Sequence, residues 1–259
     1  MITLDDFLEH LAVPNSCNLN KPVFKKLFRE NGILDATDKT HLKNDVDKIR
    51  WIYTLKPSTI NIASYKDSER EYPEVAILHI ELSNPKYVTR IANFIQRSIP
   101  YPLLLIFNCD FEGQLNILIG VADKRINQAD KEKWVVEDSI LTDWINLSEK
   151  NEAESKFLYS MTINKFSFVN FHELYKSLTQ RVIAIKCASH SGNYLLNSKH
   201  KGKSSGDRLA LLYKLEKLEI KKSSIRSKLR NEKQMGRQVE LNTEIKIIDD
   251  DIARIKNNL

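Results

Sequence analysis

Two acidic residues are the first place to look for chemistry. Asp67 precedes an apolar run that ends in Glu81-Leu82-Ser83, with a helix-like stretch and a second apolar run behind it. Metal-dependent nucleases commonly set an acid on one strand and a Glu-x-Lys on the next. The carboxylates hold a divalent cation that activates water, and the lysine steadies developing charge. Here serine stands where that lysine belongs, Lys86 comes three residues later, and Asp67 falls in a charged stretch. A solvated Glu81 at a strand end is the preferred reading, with Asp67 and Glu81 kept as weak catalytic candidates. A second candidate is cationic. Lys124 and Arg125 follow an expected strand end, close to Trp134 and Trp144. Aromatics interleaved with cations can stack on bases. The tryptophans are expected to pack on a sheet instead, and the two cations are left open. The third candidate is the set Arg226, Lys228, Arg230, Lys233 and Arg237 along the tail. Its charge suits nucleic acid, while an ordinary solvated helix is the commoner explanation of such a tail.

The sequence carries no phosphate loop, dinucleotide fingerprint, H-E-x-x-H, paired-cysteine zinc site or G-x-S-x-G elbow. His172 has no second ligand at helical spacing, and Ser189-His190 falls in an expected linker. No metal and no cofactor is expected. Cys17, Cys109 and Cys187 are odd in number and far apart, which fits reduced cytosolic thiols rather than a disulfide framework. No apolar run approaches the ~18 residues of a membrane span. The opening MITLDDFLEHL lacks a basic leader region, so a cytoplasmic protein is expected.

The chain has 259 residues, 42% hydrophobic and 29% charged. That is enough for one core with an appendage. Its charge of +6 is uneven: from Lys201 on there are 15 Lys and Arg against 9 Asp and Glu, while residues 1–200 balance at 25 against 25. The organising stretch is Glu74 to Asn108, which reads as strand, helix, strand. Val75 to Leu82 is apolar on both faces, as in a central strand. Pro85 opens a helix with Ile91, Phe94, Ile95 and Ile99 on one face, and Leu103 to Phe107 is a second buried strand.

Before this unit, Thr3 caps a short helix ending near residue 12. A second helix opens at Lys21-Pro22, with Phe24, Leu27 and Phe28 inward and Gly32 as its end. Ile49 to Leu55 alternates like a strand, Thr59 to Ala63 can continue as another, and residues 64–72 read as a loop. After the unit, a turn over Cys109–Gly113 makes a hairpin with a strand from Leu115 to Val121. A short helix is expected over 152–160 and a longer one over 168–185. Ser189 to Asp207 is small, polar and basic, and reads as a linker.

The tail holds the clearest period. Leu211, Leu215, Leu218, Ile225 and Leu229 take heptad positions, with Lys222 filling one. Leu241, Ile245, Ile248, Ile252, Ile255 and Leu259 form a second series out of phase with the first. Two antiparallel helices of about 22 residues follow, joined near 233–237 around Gly236. The arms are expected to pair with each other imperfectly, because Lys222 and the break over 230–236 interrupt the first stripe, so that part of the six-residue second stripe is left for a partner chain.

The segments IRWIYTLKPSTINI, IPYPLLLIF, KRINQADKEKWVVEDSILTDWI and EKQMGRQVELNTEIK, in that order, resemble a bacterial family filed as domain of unknown function 4391. The likeness runs from about Lys48 to the end. It implies companionship with helicases and DNA methyltransferases in restriction-like, antiphage gene clusters, and no activity.

The expectation is an α+β domain over 1–188, with a mixed sheet of about five strands covered by helices. A linker over 189–207 and a helical hairpin or coiled coil over 208–259 follow. The expected role is a non-catalytic accessory subunit of a DNA-targeting defence complex. Its protein partner would be a helicase, nuclease or methyltransferase subunit, or a second copy. Alternatives are a divergent metal-dependent nuclease and a free-standing nucleic-acid binder.

Overall fold

The computed structural model describes residues 3–30, 34–130, 134–196 and 204–259. The chain divides into two compact units, Met1–Val182 and Ile183–Leu259. The first is built on a seven-stranded mixed sheet. Chain order runs α1 (Leu4–His10), β1 (Asn18–Pro22), α2 (Lys25–Glu30), α3 (Ala36–Asn44), β2 (Val46–Leu55) and α4 (Pro57–Ile60). It continues with β3 (Tyr65–Lys66), β4 (Glu71–Tyr72), β5 (Val75–Leu82), α5 (Val88–Ser98), β6 (Leu103–Phe111) and β7 (Gln114–Ile126). Then come β8 (Trp134–Leu141), β9 (Ile145–Asn146), α6 (Glu152–Ser160) and α7 (Phe171–Ser191).

The sheet order is β1-β2-β5-β6-β7-β8, with β9 also on β7 and the β3–β4 pair standing apart. All neighbours are antiparallel except β5 and β6, which run parallel because α5 carries the chain between them. This α+β architecture is the one expected, with the strand–helix–strand unit at its centre. One face of the sheet packs Leu78, Ile80, Leu105 and Phe107 against Ile91, Phe94 and Ile95 of α5, with Leu42 of α3 joining them. On the other face α7 is tied to the sheet by Tyr175. Its hydroxyl donates to the Leu103 carbonyl at 2.8 Å and accepts from the Ala122 amide at 3.0 Å. Burial pushes that phenol above its ordinary range.

The hairpin between β6 and β7 turns on Glu112 and Gly113, at φ 54 and 81, as a two-residue turn of this twist requires. The Asp110 carboxylate accepts from the Gly113 amide at 2.6 Å and fixes it. Gly120 is glycine for space: a Cβ there would lie 2.6 Å from Leu141 Cδ2.

Several expectations need correction. The second helix does not open at Pro22. That residue ends edge strand β1, and with the helix starting at Lys25 only Phe28 is fully buried while Phe24 is 68% exposed. Gly32 lies outside the described residues. Thr59 to Ala63 is not a strand. Pro57 starts a single helical turn, the Lys56 amide donates to Thr59 Oγ1, and Asn61 in the left-handed region ends it. Within residues 64–72 there is a small hairpin, β3–β4. α7 runs on to Ser191 rather than stopping at Ile185.

In the second unit α8 (Ser205–Asn231) and α9 (Met235–Lys256) form a helix pair with a core of their own: Leu215, Ile225, Leu241, Ile248, Ile252 and Ile255. The arms join at Glu232–Gln234, so Gly236 lies inside the first turn of α9. The Ser204 hydroxyl accepts from the Asp207 amide, and the Asp207 carboxylate accepts from the Ser204 amide, closing the start of α8. Among the described residues no helix is long and apolar enough to cross a membrane.

Candidate functional site

The acidic pair comes first. Glu81 sits one residue before the end of β5, across from Lys48 of β2, whose ammonium is 3.2 Å from its carboxylate. Asp67 holds the β3–β4 turn. It accepts from the Tyr65 hydroxyl at 2.7 Å, the Glu69 amide at 2.7 Å and the Arg70 amide at 2.6 Å. These bonds, led by the Tyr65 hydroxyl, hold its carboxyl below the usual value. Arg70 next to it grips Asp123 at 2.7 Å. The register of β5, β6 and β7 sets Asp123 level with Val75. Glu81 is six residues further along β5, roughly 20 Å at the rise of an extended strand. Asp67 and Glu81 therefore stand at opposite ends of the sheet, and the nuclease pairing is not assembled. Among the described residues no three His, Cys, Asp or Glu side chains group closely enough to hold a metal ion.

What does surround the β5 end is a polar staple that the sequence reading missed. His41 Nδ1 and Asp45 Oδ2 are 2.6 Å apart, and Asn84 donates to the other Asp45 oxygen at 3.1 Å. The Ser83 amide donates to the Asp45 carbonyl, and the His41 ring lies 3.9 Å from that of Tyr87. The i, i+4 spacing of His41 and Asp45 was the available signal.

Lys124 leaves the cationic set. Alternation along β7 puts it on the side of Leu118 and Gly120, facing α5. It is 1% exposed, and its ammonium donates to the Ile99 and Tyr101 carbonyls at 2.7 Å each. Burial pushes it well below the ordinary lysine range. Its work is to fasten the turn between α5 and β6, and no phosphate reaches it. Arg125 is half-buried and paired with Glu137, which also faces Arg70 at 3.5 Å. Trp144 packs edge-on against Phe111 at 5.3 Å, as expected of a sheet-packing tryptophan.

A cleft of about 570 Å³ opens beside this network, lined by Asp35, Asp38, Arg90, Arg97, Glu137 and Ser139 among others. Its charges face one another. Arg90 holds Asp38 at 2.7 Å and Asp35 at 2.6 Å, and Arg97 reaches Asp38 at 3.2 Å. Asp38 is buried and also caps α3 with Asp35, so the cleft is a neutralised staple between α3 and α5.

The helix pair places the remaining candidates. Of the six aliphatic residues in the second stripe, Leu241, Ile248, Ile252 and Ile255 are buried in the seam between α8 and α9, and Ile245 and Leu259 are partly buried there. Lys222 does not spoil the seam, because its ammonium leaves it to pair with Asp249. Lys221–Glu244 and Lys256–Glu219 also bridge the arms. The stripe is thus satisfied within the hairpin. The large apolar side chains the pair leaves exposed are different ones: Met235, Val239 and Ile247 on the outside of α9, and Ile220 on α8. Of the tip cations, Arg237 pairs with Glu240, while Arg226, Lys228 and Arg230 make no ion pair among the described residues.

A family model described as domain of unknown function (DUF4391) matches residues 11–252. No curated protein and no solved structure matches the chain.

Proposed function

The chain belongs to the DUF4391 family, and from that premise we propose that it is a non-catalytic accessory subunit of a bacterial DNA-targeting defence assembly. It docks a partner protein through its C-terminal hairpin and works in the cytoplasm. The setting implied by the family resemblance supports the DNA-targeting half of this reading. One observation carries the docking half. Met235, Val239 and Ile247, at positions i, i+4 and i+12 of α9, are 80%, 61% and 59% exposed. Thr243, which fills the i+8 position, turns its hydroxyl back to the Val239 carbonyl at 2.9 Å. The result is a ridge along the i±4n row, the shape that fits a groove on another helix. A self-closed hairpin holds that ridge rigid, so little order is lost on docking.

Burying one such side chain contributes about 1.5–3 kcal/mol. Val239→Glu with Ile247→Glu should therefore weaken capture of the tagged neighbouring gene product by at least about a hundredfold, with helical content unchanged. Capture at the wild-type level by this double variant would refute the docking surface.

A further inference from the structure

We infer that the distal face of α8 is a polynucleotide-backbone site: Ser223, Arg226, Ser227 and Arg230 contact successive phosphodiesters of a duplex without reading its sequence. This goes beyond the docking role, lies on the other arm of the hairpin, and does not depend on a partner protein. The four side chains line a groove of about 400 Å³ between α8 and α9, which Glu219, Lys222, Ile252 and Lys256 complete.

Three observations point to a polyanion. First, the charges divide along the groove. Lys222 is spent on Asp249 and Lys256 faces Glu219 at 3.8 Å, so the end near Glu219 is neutral. Toward the tip, Arg226 and Arg230 have no ion partner among the described residues, and α8 holds no acid after Glu219. Second, the Ser223 and Ser227 hydroxyls make no hydrogen bond among the described residues, although a helical serine commonly turns its hydroxyl back onto its own backbone, as Thr243 does. Third, the donors repeat. Serine and arginine each recur after four residues, about 6 Å along a helix axis. A line of alternating hydroxyl and guanidinium donors suits a regular polymer of anions, for these are the groups that position proteins on phosphates. The lining has no aromatic side chain to stack on unpaired bases and no Asn or Gln to read a base edge. Duplex is therefore the favoured form, and contact is independent of sequence.

The test uses the full-length chain and a fluorescently labelled 20-base-pair duplex, with affinity followed by anisotropy from 50 to 200 mM salt. Each neutralised phosphate contributes about 0.9 to the slope of log affinity against log salt. Arg226→Gln with Arg230→Gln should lower the magnitude of that slope by about 1.8, so that about 12-fold of the salt-driven affinity loss across this range disappears. The control is Lys214→Gln with Lys217→Gln, two exposed cations on the same helix outside the groove, which should leave the slope nearly unchanged. Ser223→Ala with Ser227→Ala should weaken binding severalfold at unchanged slope. All these side chains lie outside the hairpin core, and helical content measured by circular dichroism checks that the fold persists. The inference is overturned if the duplex does not bind at 50 mM salt or if the two charge pairs lower the slope equally. It is also overturned if polyglutamate competes as well as the duplex, which would mark the face as a site for acidic protein.

Discussion

At the scale of single residues, the chemistry-bearing side chains are mostly spent on holding the structure. Lys124 fastens a turn, Asp67 caps another, and Asp38 gathers two arginines. His79 belongs with them. Its Nε2 lies 2.5 Å from the Asn108 side-chain oxygen across β5 and β6, and burial lowers its pKa despite that bond. A histidine depressed in the fold takes up a proton more readily when unfolded. Stability is therefore lost as pH falls from the ordinary value of about 6.5 toward the lower folded one, by at most about 1.4 kcal/mol per pH unit. His79→Gln keeps a side chain able to bond Asn108 but removes the titration. Urea melts of the two proteins between pH 7 and pH 5 should show the wild type losing stability relative to the variant. Parallel pH dependence would mean that His79 is not depressed.

At the scale of elements, legibility followed the apolar pattern. β5, α5 and β6 were readable because their runs are long and buried on both faces or on a clean helical stripe. β1 was not, since Asn18-Leu19-Asn20-Lys21-Pro22 has a single large apolar residue and is exposed throughout. The Pro57 turn looked like a strand because Ile60 and Ile62 alternate, while capping by Thr59 decides the conformation. The neighbour of Glu81 was illegible because sheet register is non-local: alternation says which face a residue takes, not that Lys48 lies opposite. In the hairpin both arms were legible and their target was not, because a Lys at a seam position reads as a fault until its ammonium is seen leaving for Asp249. Two adjacent residues now make a sharp comparison. Ile248 is buried in the seam and Ile247 is exposed. Ile248→Glu should cost about 3 kcal/mol or more and speed amide exchange throughout α8 and α9, while Ile247→Glu leaves exchange there unchanged. Equal protection in both variants would mean that the seam does not hold the arms together.

At the scale of the whole molecule, Leu78, Phe94 and Phe107 belong to the core of the sheet, and Leu215, Ile248 and Ile252 to that of the helix pair. The sheet, unlike a closed barrel, has to end somewhere, and β1 is one of its ends. It pairs with β2 alone, its register slips between Asn18 and Lys21, and Asn20 sits in the left-handed region with its side chain accepting from Arg50 at 2.6 Å. Pro22 offers no amide and Lys21 puts a charge on the rim. Together these make a poor template for another strand. The consequence is colloidal: the chain should stay dispersed when concentrated, although its central strands are among the most aggregation-prone stretches it contains. Lys21→Val with Pro22→Val would straighten and uncharge that rim. Concentrated solutions of this variant should gain thioflavin fluorescence and scatter light over days while the wild type stays clear; equal clarity would show that the sheet is guarded elsewhere.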